Sequence, residues 1–243
     1  MTKINKNEKG VPILSADAIE LKAEEVISHF DDTILDNPQR TPLLEYIEDL
    51  HKRFDLRRDY SRSLGKTKHG KVILGKTQFK PLGLYVDISL VNDPRFNFVL
   101  GHELGHVVLH RFVDIKKTGY EEQEIIDTKI DFFTGKKNLQ TPRDWLEWQA
   151  NYFSSAILMP RLSIMKAVLL KQKEMDFKRY LGRIILEAKA YSVANYKKIQ
   201  EHLALVYSVN ATNVECRLKD LGILIDRMNI NVQHVSELFT TES

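Results

Sequence analysis

Apolar residues recur at helical spacing over 13–29, where Ile19, Ala23, Val26 and Ile27 share one face and Ser15 stands at the N-cap position. Thr41-Pro42 sets a capping residue before a proline at the first helical position, and Leu43, Leu44, Ile47 and Leu50 continue an amphipathic helix. Residues 61–70 are polar with Gly65 and Gly70, a loop by composition. Val72-Ile73-Leu74 then reads as strand, and Leu84, Val86, Ile88 and Leu90 alternate with Tyr85, Asp87 and Ser89 to predict a strand over 83–91. It ends at Asn92-Asp93-Pro94, where Asp93 can cap and Pro94 can open a helix running to about residue 111. A polar stretch, 114–140, follows. Thr141-Pro142 starts another helix, which runs to about Leu158 and stops at Met159-Pro160. Residues 162–243 read as mostly helical. The order of helices, a small sheet and further helices predicts an α+β fold, divided into a main domain over 1–160 and a helical segment over 161–243.

Composition narrows the class without naming a function. Of 243 residues, 43% are hydrophobic and 28% charged, which excludes disorder as the main state as well as collagen-like and disulfide-scaffold chains. No apolar run approaches the roughly 20 residues of a membrane span, and no secretory signal is visible behind Met1. The single cysteine, Cys216, fits a reducing compartment and is most simply a small core residue. The expectation is a cytoplasmic globular protein without a membrane role. Charge is unevenly spread, with 10 Lys/Arg against 2 Asp/Glu over 51–80 and 10 against 3 over 161–200. These segments suit either solvated faces or a patch for an acidic partner, and solvated faces are the simpler account.

The chemistry is concentrated in His102-Glu103-Leu104-Gly105-His106, an H-E-x-x-H motif inside the predicted helix 94–111. His102 and His106 lie one helical turn apart on one face, so both imidazoles can reach one ion. Zn²⁺ suits neutral imidazole nitrogen, and a catalytic site takes three protein ligands and leaves the fourth position to water. Glu103 projects beside that face as a general base. The flanks Phe96, Phe98, Val99, Leu100, Val107, Val108 and Leu109 predict a buried helix, and Gly105 leaves room for close packing of a second element. A pair of core histidines beside a surface glutamate is the bland alternative.

A third ligand is required, and Glu147 is the candidate. On the helix from Thr141, Glu147, Ala150, Asn151 and Ser154 share a small polar face, which would let a carboxylate approach the first helix. Asn151, one turn on, could hold a ligand by a hydrogen bond. Without the histidine pair, Glu147 would read as an ordinary exposed helix glutamate.

Arg95–His110 resembles the active-site helix of the ImmA/IrrE family of metallo-endopeptidases, and Glu147-Trp148-Gln149-Ala150-Asn151-Tyr152-Phe153 with Leu158-Met159-Pro160 resembles that family's second motif. Val11–Ser15 with Ile19-Glu20, and Leu203–Val209 with Arg217-Leu218 and Leu221-Gly222, are similar to its opening and closing segments. The resemblance implies a zincin-like (gluzincin-like), mostly helical core around a small antiparallel or mixed sheet, Zn²⁺ as cofactor, and Glu147 as third ligand beside His102 and His106. It implies cleavage of a helix-turn-helix repressor that controls a mobile element or stress response. Ser154-Ser155 departs from the alanines usual there. The 40 residues between His106 and Glu147 make a long connection, so 114–140 reads as a lid or substrate-contacting insertion. An extended peptide substrate is expected along a sheet edge, formed by 71–79 or 83–91. His110, Tyr120 and Tyr152 are candidates for stabilising the oxyanion, none of them preferred.

Residues 199–214, with Arg217-Leu218 beyond, resemble a helix-turn-helix. Residues 201–243 carry 3 Lys/Arg against 6 Asp/Glu, which favours scaffold or partner docking over direct nucleic-acid binding. The partner expected is therefore a protein substrate that itself binds DNA. The alternative function is a DNA- or protein-binding transcriptional regulator that keeps the zincin fold without proteolysis.

Overall fold

The computed structural model describes residues 11–114, 124–128 and 139–228. Tyr120, most of the 114–140 stretch and the C-terminal tail lie outside the described residues. Within them the fold is α+β, with seven α-helices and two small sheets.

Helix α1 (Ala16–Ser28) starts where expected, with the Ser15 hydroxyl accepting from the Ala18 N–H, and it buries Ile19, Ala23 and Ile27. Helix α2 (Leu43–Phe54) begins one residue later than Thr41-Pro42 suggests and has no side-chain cap. Thr41 instead donates its hydroxyl to the Ile157 carbonyl at 2.7 Å, so a buried tertiary bond takes the group that local chemistry would have spent on capping.

A four-stranded mixed sheet follows, made of β1 (Arg57–Asp59), β2 (Ile73–Phe79), β3 (Leu82–Val86) and β4 (Glu124–Thr128). Its order is β1-β3-β2-β4, with β1 parallel to β3 and the other pairs antiparallel. Both strands expected at the edge are therefore interior, and the edges among the described residues are β1 and β4. The predicted strand 83–91 is also shorter than its alternation suggests. Asp87 is buried, accepts from Ser89 N–H, Leu64 N–H and the Ser63 hydroxyl, and turns 88–90 into a short 3₁₀ helix. Three donors on one carboxylate outweigh the continuation of the alternating pattern.

Helix α3 (Phe96–His110) opens two residues after Pro94, because Asp93 accepts from the Arg95 N–H at 2.8 Å and binds its guanidinium rather than capping a helix from 94. Helix α4 (Pro142–Leu158) has the predicted start, a reciprocal capping box between Thr141 and Asp144. The two helices meet through small residues. A methyl on Gly101 would come within 2.7 Å of the Ser154 hydroxyl, and one on Gly105 within 3.2 Å of the Ala150 Cα. Ser154 uses its hydroxyl to reach the Phe98 carbonyl at 2.7 Å, so serine there keeps the contact close. Gly105 does the work its position predicts.

Beyond α4 come α5 (Arg161–Glu174), β5 (Ile184–Leu186), α6 (Ala190–Tyr207), α7 (Ala211–Asp220) and β6 (Leu224–Asp226). The region is not all helical, since β5 and β6 form a parallel pair; three-residue strands are too short to show a period in sequence. Asn210 caps α7 by accepting from the Asn213 N–H, and Ser208 takes the left-handed conformation between α6 and α7. Cys216 is exposed rather than a core residue, because the buried stripe of α7 runs through Val214, Arg217 and Leu218.

Arg217 is fully buried. Its guanidinium pairs with both Glu20 oxygens on α1, and its Nε donates to the Met159 carbonyl at 2.9 Å. One cluster of buried side chains runs from Ile19 on α1 through α3 and α4 to Leu218 and Leu224. No single helix among the described residues is long and apolar enough to cross a membrane.

Candidate metal centre

Helix α3 is apolar nearly all round, so the polar side chains it carries are driven inward with the rest. His102, Glu103, His106 and His110 are all fully buried between α4 and the sheet. That environment demands a partner for every polar atom.

The histidines have their tautomers set from behind. Gln149 on α4 donates its amide to the Pro12 carbonyl at 2.7 Å, which turns its Oε1 toward His110 Nε2 at 3.0 Å. His110 therefore donates from Nε2 and accepts at Nδ1, where His106 Nδ1 lies at 2.9 Å. Burial pushes His110 down to about 3, which keeps it in this neutral form. His106 thus carries its proton on Nδ1 and presents a lone pair at Nε2. His102 does the same, with Nδ1 at 2.8 Å from the Asn151 Oδ1. The expected role of Asn151 matches this geometry. His110, an oxyanion candidate in sequence, lies behind His106 and orients it. Tyr152, another candidate, packs near the Arg217 guanidinium, 5.8 Å from its ring centroid.

The two Nε2 atoms converge at 3.0 Å, and the Glu147 Oε2 lies 3.3 Å from His102 Nε2 and 3.8 Å from His106 Nε2. Donors about 2.05 Å from a tetrahedral ion would stand about 3.3 Å apart. A fourth group joins them. Asp127 on β4 brings its Oδ2 to 3.4 Å from His102 Nε2 and 3.6 Å from His106 Nε2. The potential ligand atoms of all four side chains lie within 4.8 Å of one another.

Charge strains this cluster. Burial disfavours the charged form of His102, yet Asp127 and Glu147 override it and hold the imidazole well above its ordinary range. Burial and then the charges of Glu147 and Glu103 push Asp127 well above the usual carboxylate range. Burial opposes ionisation of Glu147 as well, but the two histidines hold it well below. Among the described residues, both Asp127 oxygens and the Glu103 Oε1 are buried without a hydrogen-bond partner. Two converging imidazole nitrogens and crowded carboxylate oxygens are the donor set that a divalent metal would satisfy, taking the place of the protons that otherwise relieve the charge.

Glu103 stands beside this cluster and is held by the sheet. Thr77 on β2 donates its hydroxyl to Glu103 Oε2 at 2.6 Å. Burial raises Glu103 to about 7, a value suited to proton exchange near neutrality. Gly75, two residues before Thr77, leaves the space that the carboxylate fills, since a methyl there would overlap Glu103 Oε1. Gly75→Ala is expected to push the Glu103 carboxylate out of this corner while the four-residue cluster still takes up metal; elemental analysis beside a crystal structure of the variant would check this.

Sequence reasoning missed Asp127, Thr77, Gly75 and Gln149. The Asp127 signal was present in Ile125-Ile126-Asp127, where a carboxylate falls in phase with the inward Ile125 of a strand. The polar surroundings of that short run concealed the strand.

Residues 84–184 match the peptidase family described as the IrrE N-terminal-like domain. The matched span runs from β3 into β5 and holds His102, Glu103, His106, Asp127 and Glu147. A comparison with curated proteins found no match to the chain.

Proposed function

From the premise that residues 84–184 belong to the ImmA/IrrE family of metallopeptidases, we propose that this chain is a zinc-dependent metallo-endopeptidase. The observation that carries the proposal is the convergence of His102 Nε2, His106 Nε2 and Glu147 Oε2 beside the buried carboxylate of Glu103. His102, His106 and Glu147 would hold the ion. A bound Zn²⁺ supplies a Lewis acid that acidifies water and polarises a peptide carbonyl.

The chain's own groups do the rest. Glu103, oriented by Thr77, takes a proton from the attacking water at its free Oε1 and returns it to the leaving amine. Asn151 and the Gln149–His110 relay hold the imidazoles in the tautomers that keep both Nε2 lone pairs inward. The substrate proposed is a helix-turn-helix repressor of a mobile element or stress response, met in the cytoplasm. Incubating the zinc-loaded protein with a panel of purified helix-turn-helix repressors tests this. Discrete fragments by mass spectrometry, lost with chelator and regained with zinc, are expected; intact repressors throughout would refute the substrate assignment.

One observation favours the second reading, a DNA- or protein-binding regulator that keeps the fold without proteolysis. Four protein donors surround the centre, as in a structural metal site. That reading requires salt-sensitive duplex binding that survives loss of the metal. The burial of Arg217 weighs against it, because the guanidinium on α7 is spent on Glu20 rather than offered to phosphate.

A further inference from the structure

Resting on the metallopeptidase reading, we infer that Asp127 is a fourth protein ligand, which closes the resting centre to solvent and must withdraw before a substrate can be cleaved. The distances place Asp127 Oδ2 at the remaining vertex of the donor set, 3.4 and 3.6 Å from the two imidazole nitrogens. Those separations are close to those that Glu147 makes. A catalytic zinc centre leaves its fourth vertex to water.

The local chain is built to aim this side chain. Asp127 follows Ile125 in the inward phase of β4, and both are fully buried. Opposite it, the register of β2 shifts between Ile73 and Gly75, so that Gly75 faces Asp127 across a bulge. A bulge re-aims the side chain next to it, and the missing Cβ of Gly75 leaves room for the Glu103 carboxylate in the same corner. Neither oxygen of Asp127 finds a hydrogen-bond donor among the described residues, so a cation is the compensation that fits.

The four donors differ in how firmly they are held. His102, His106 and Glu147 sit on α3 and α4, whose backbones are locked together through Gly101 and Gly105. Asp127 comes from an edge strand that, among the described residues, pairs only with β2. A shift of β4 would move Asp127 without separating α3 from α4. Asp127 is thus the ligand that can leave.

Cobalt in place of zinc reports the coordination shell by its visible absorption, and azide is a probe for an open position. The full chain, loaded with Co²⁺, is expected to keep its spectrum in a large excess of azide. Asp127→Ala and the size-matched Asp127→Asn are expected to bind cobalt about tenfold or more weakly in competition with a chelator, and to change spectrum on azide addition. Azide binding to the wild-type protein as readily as to the variants would show an open fourth position and overturn the inference while leaving the metal centre intact. A wild-type protein that takes up no cobalt would overturn the metal reading itself, and this inference with it.

Discussion

Glu103→Gln is expected to lower peptide cleavage by about 10²- to 10⁴-fold with metal content unchanged. Glutamine keeps the size of the side chain and can still meet the Thr77 hydroxyl through its amide oxygen. What it lacks is a basic oxygen to take up a proton and hand it to the leaving amine. Glu103 is not among the four side chains whose donor atoms converge, so its replacement leaves that set complete. Steady-state cleavage of a repressor found susceptible, with metal analysis of the same preparation, separates the two effects. Cleavage at the wild-type rate would remove Glu103 from the mechanism, and loss of the metal would make it part of the binding set.

Arg217→Ala is expected to cost about 3–5 kcal/mol of stability, because it leaves Glu20 with its carboxylate buried and its main partner gone. At about 2–4 °C per kcal/mol for a chain of this size, the thermal midpoint should fall by roughly 6–20 °C. The loss also frees the Met159 carbonyl at the end of α4, only a few turns from Glu147. Replacing the pair together, Glu20→Leu with Arg217→Met, should recover much of the midpoint, since apolar groups of similar volume need no partner. A midpoint within 1–2 °C of wild type for Arg217→Ala would mean that the pair contributes little to holding α7 on α1.

Where local chemistry and tertiary demands agree, the elements were legible in the sequence. The Ser15 cap of α1, the capping box of α4 and the buried run of α3 all follow from residues within one or two turns. Thr41 and Asp87 show the opposite case. Each has a local capping or strand signal that a distant partner redirects, the Ile157 carbonyl for one and the donors of Ser63 and Leu64 for the other. Sequence spacing cannot reveal such partners.

The centre divides in the same way. Two histidines one turn apart, a glutamate between them, and a second helix with Glu147 and Asn151 on its small face are helical patterns, and the fold brings them together as drawn. Asp127 and Gly75 belong to the site only through sheet register, which a bulge shifts and no periodicity records. His110 is one of three oxyanion candidates in the sequence, none preferred; it faces away from the converging nitrogens because the last turn of α3 carries it behind His106. The β5–β6 pair was hidden by its length, and Cys216 by its place one step from the buried stripe of α7.

The central claim is that His102, His106 and Glu147 hold one metal ion, and elemental analysis of the purified protein beside His102→Ala and Glu147→Ala tests it most directly. About one zinc per chain in the wild type, lost or sharply reduced in each variant while both remain folded by circular dichroism, is the predicted result. No zinc in the wild type even after reconstitution, or zinc retained in full by Glu147→Ala, would contradict it.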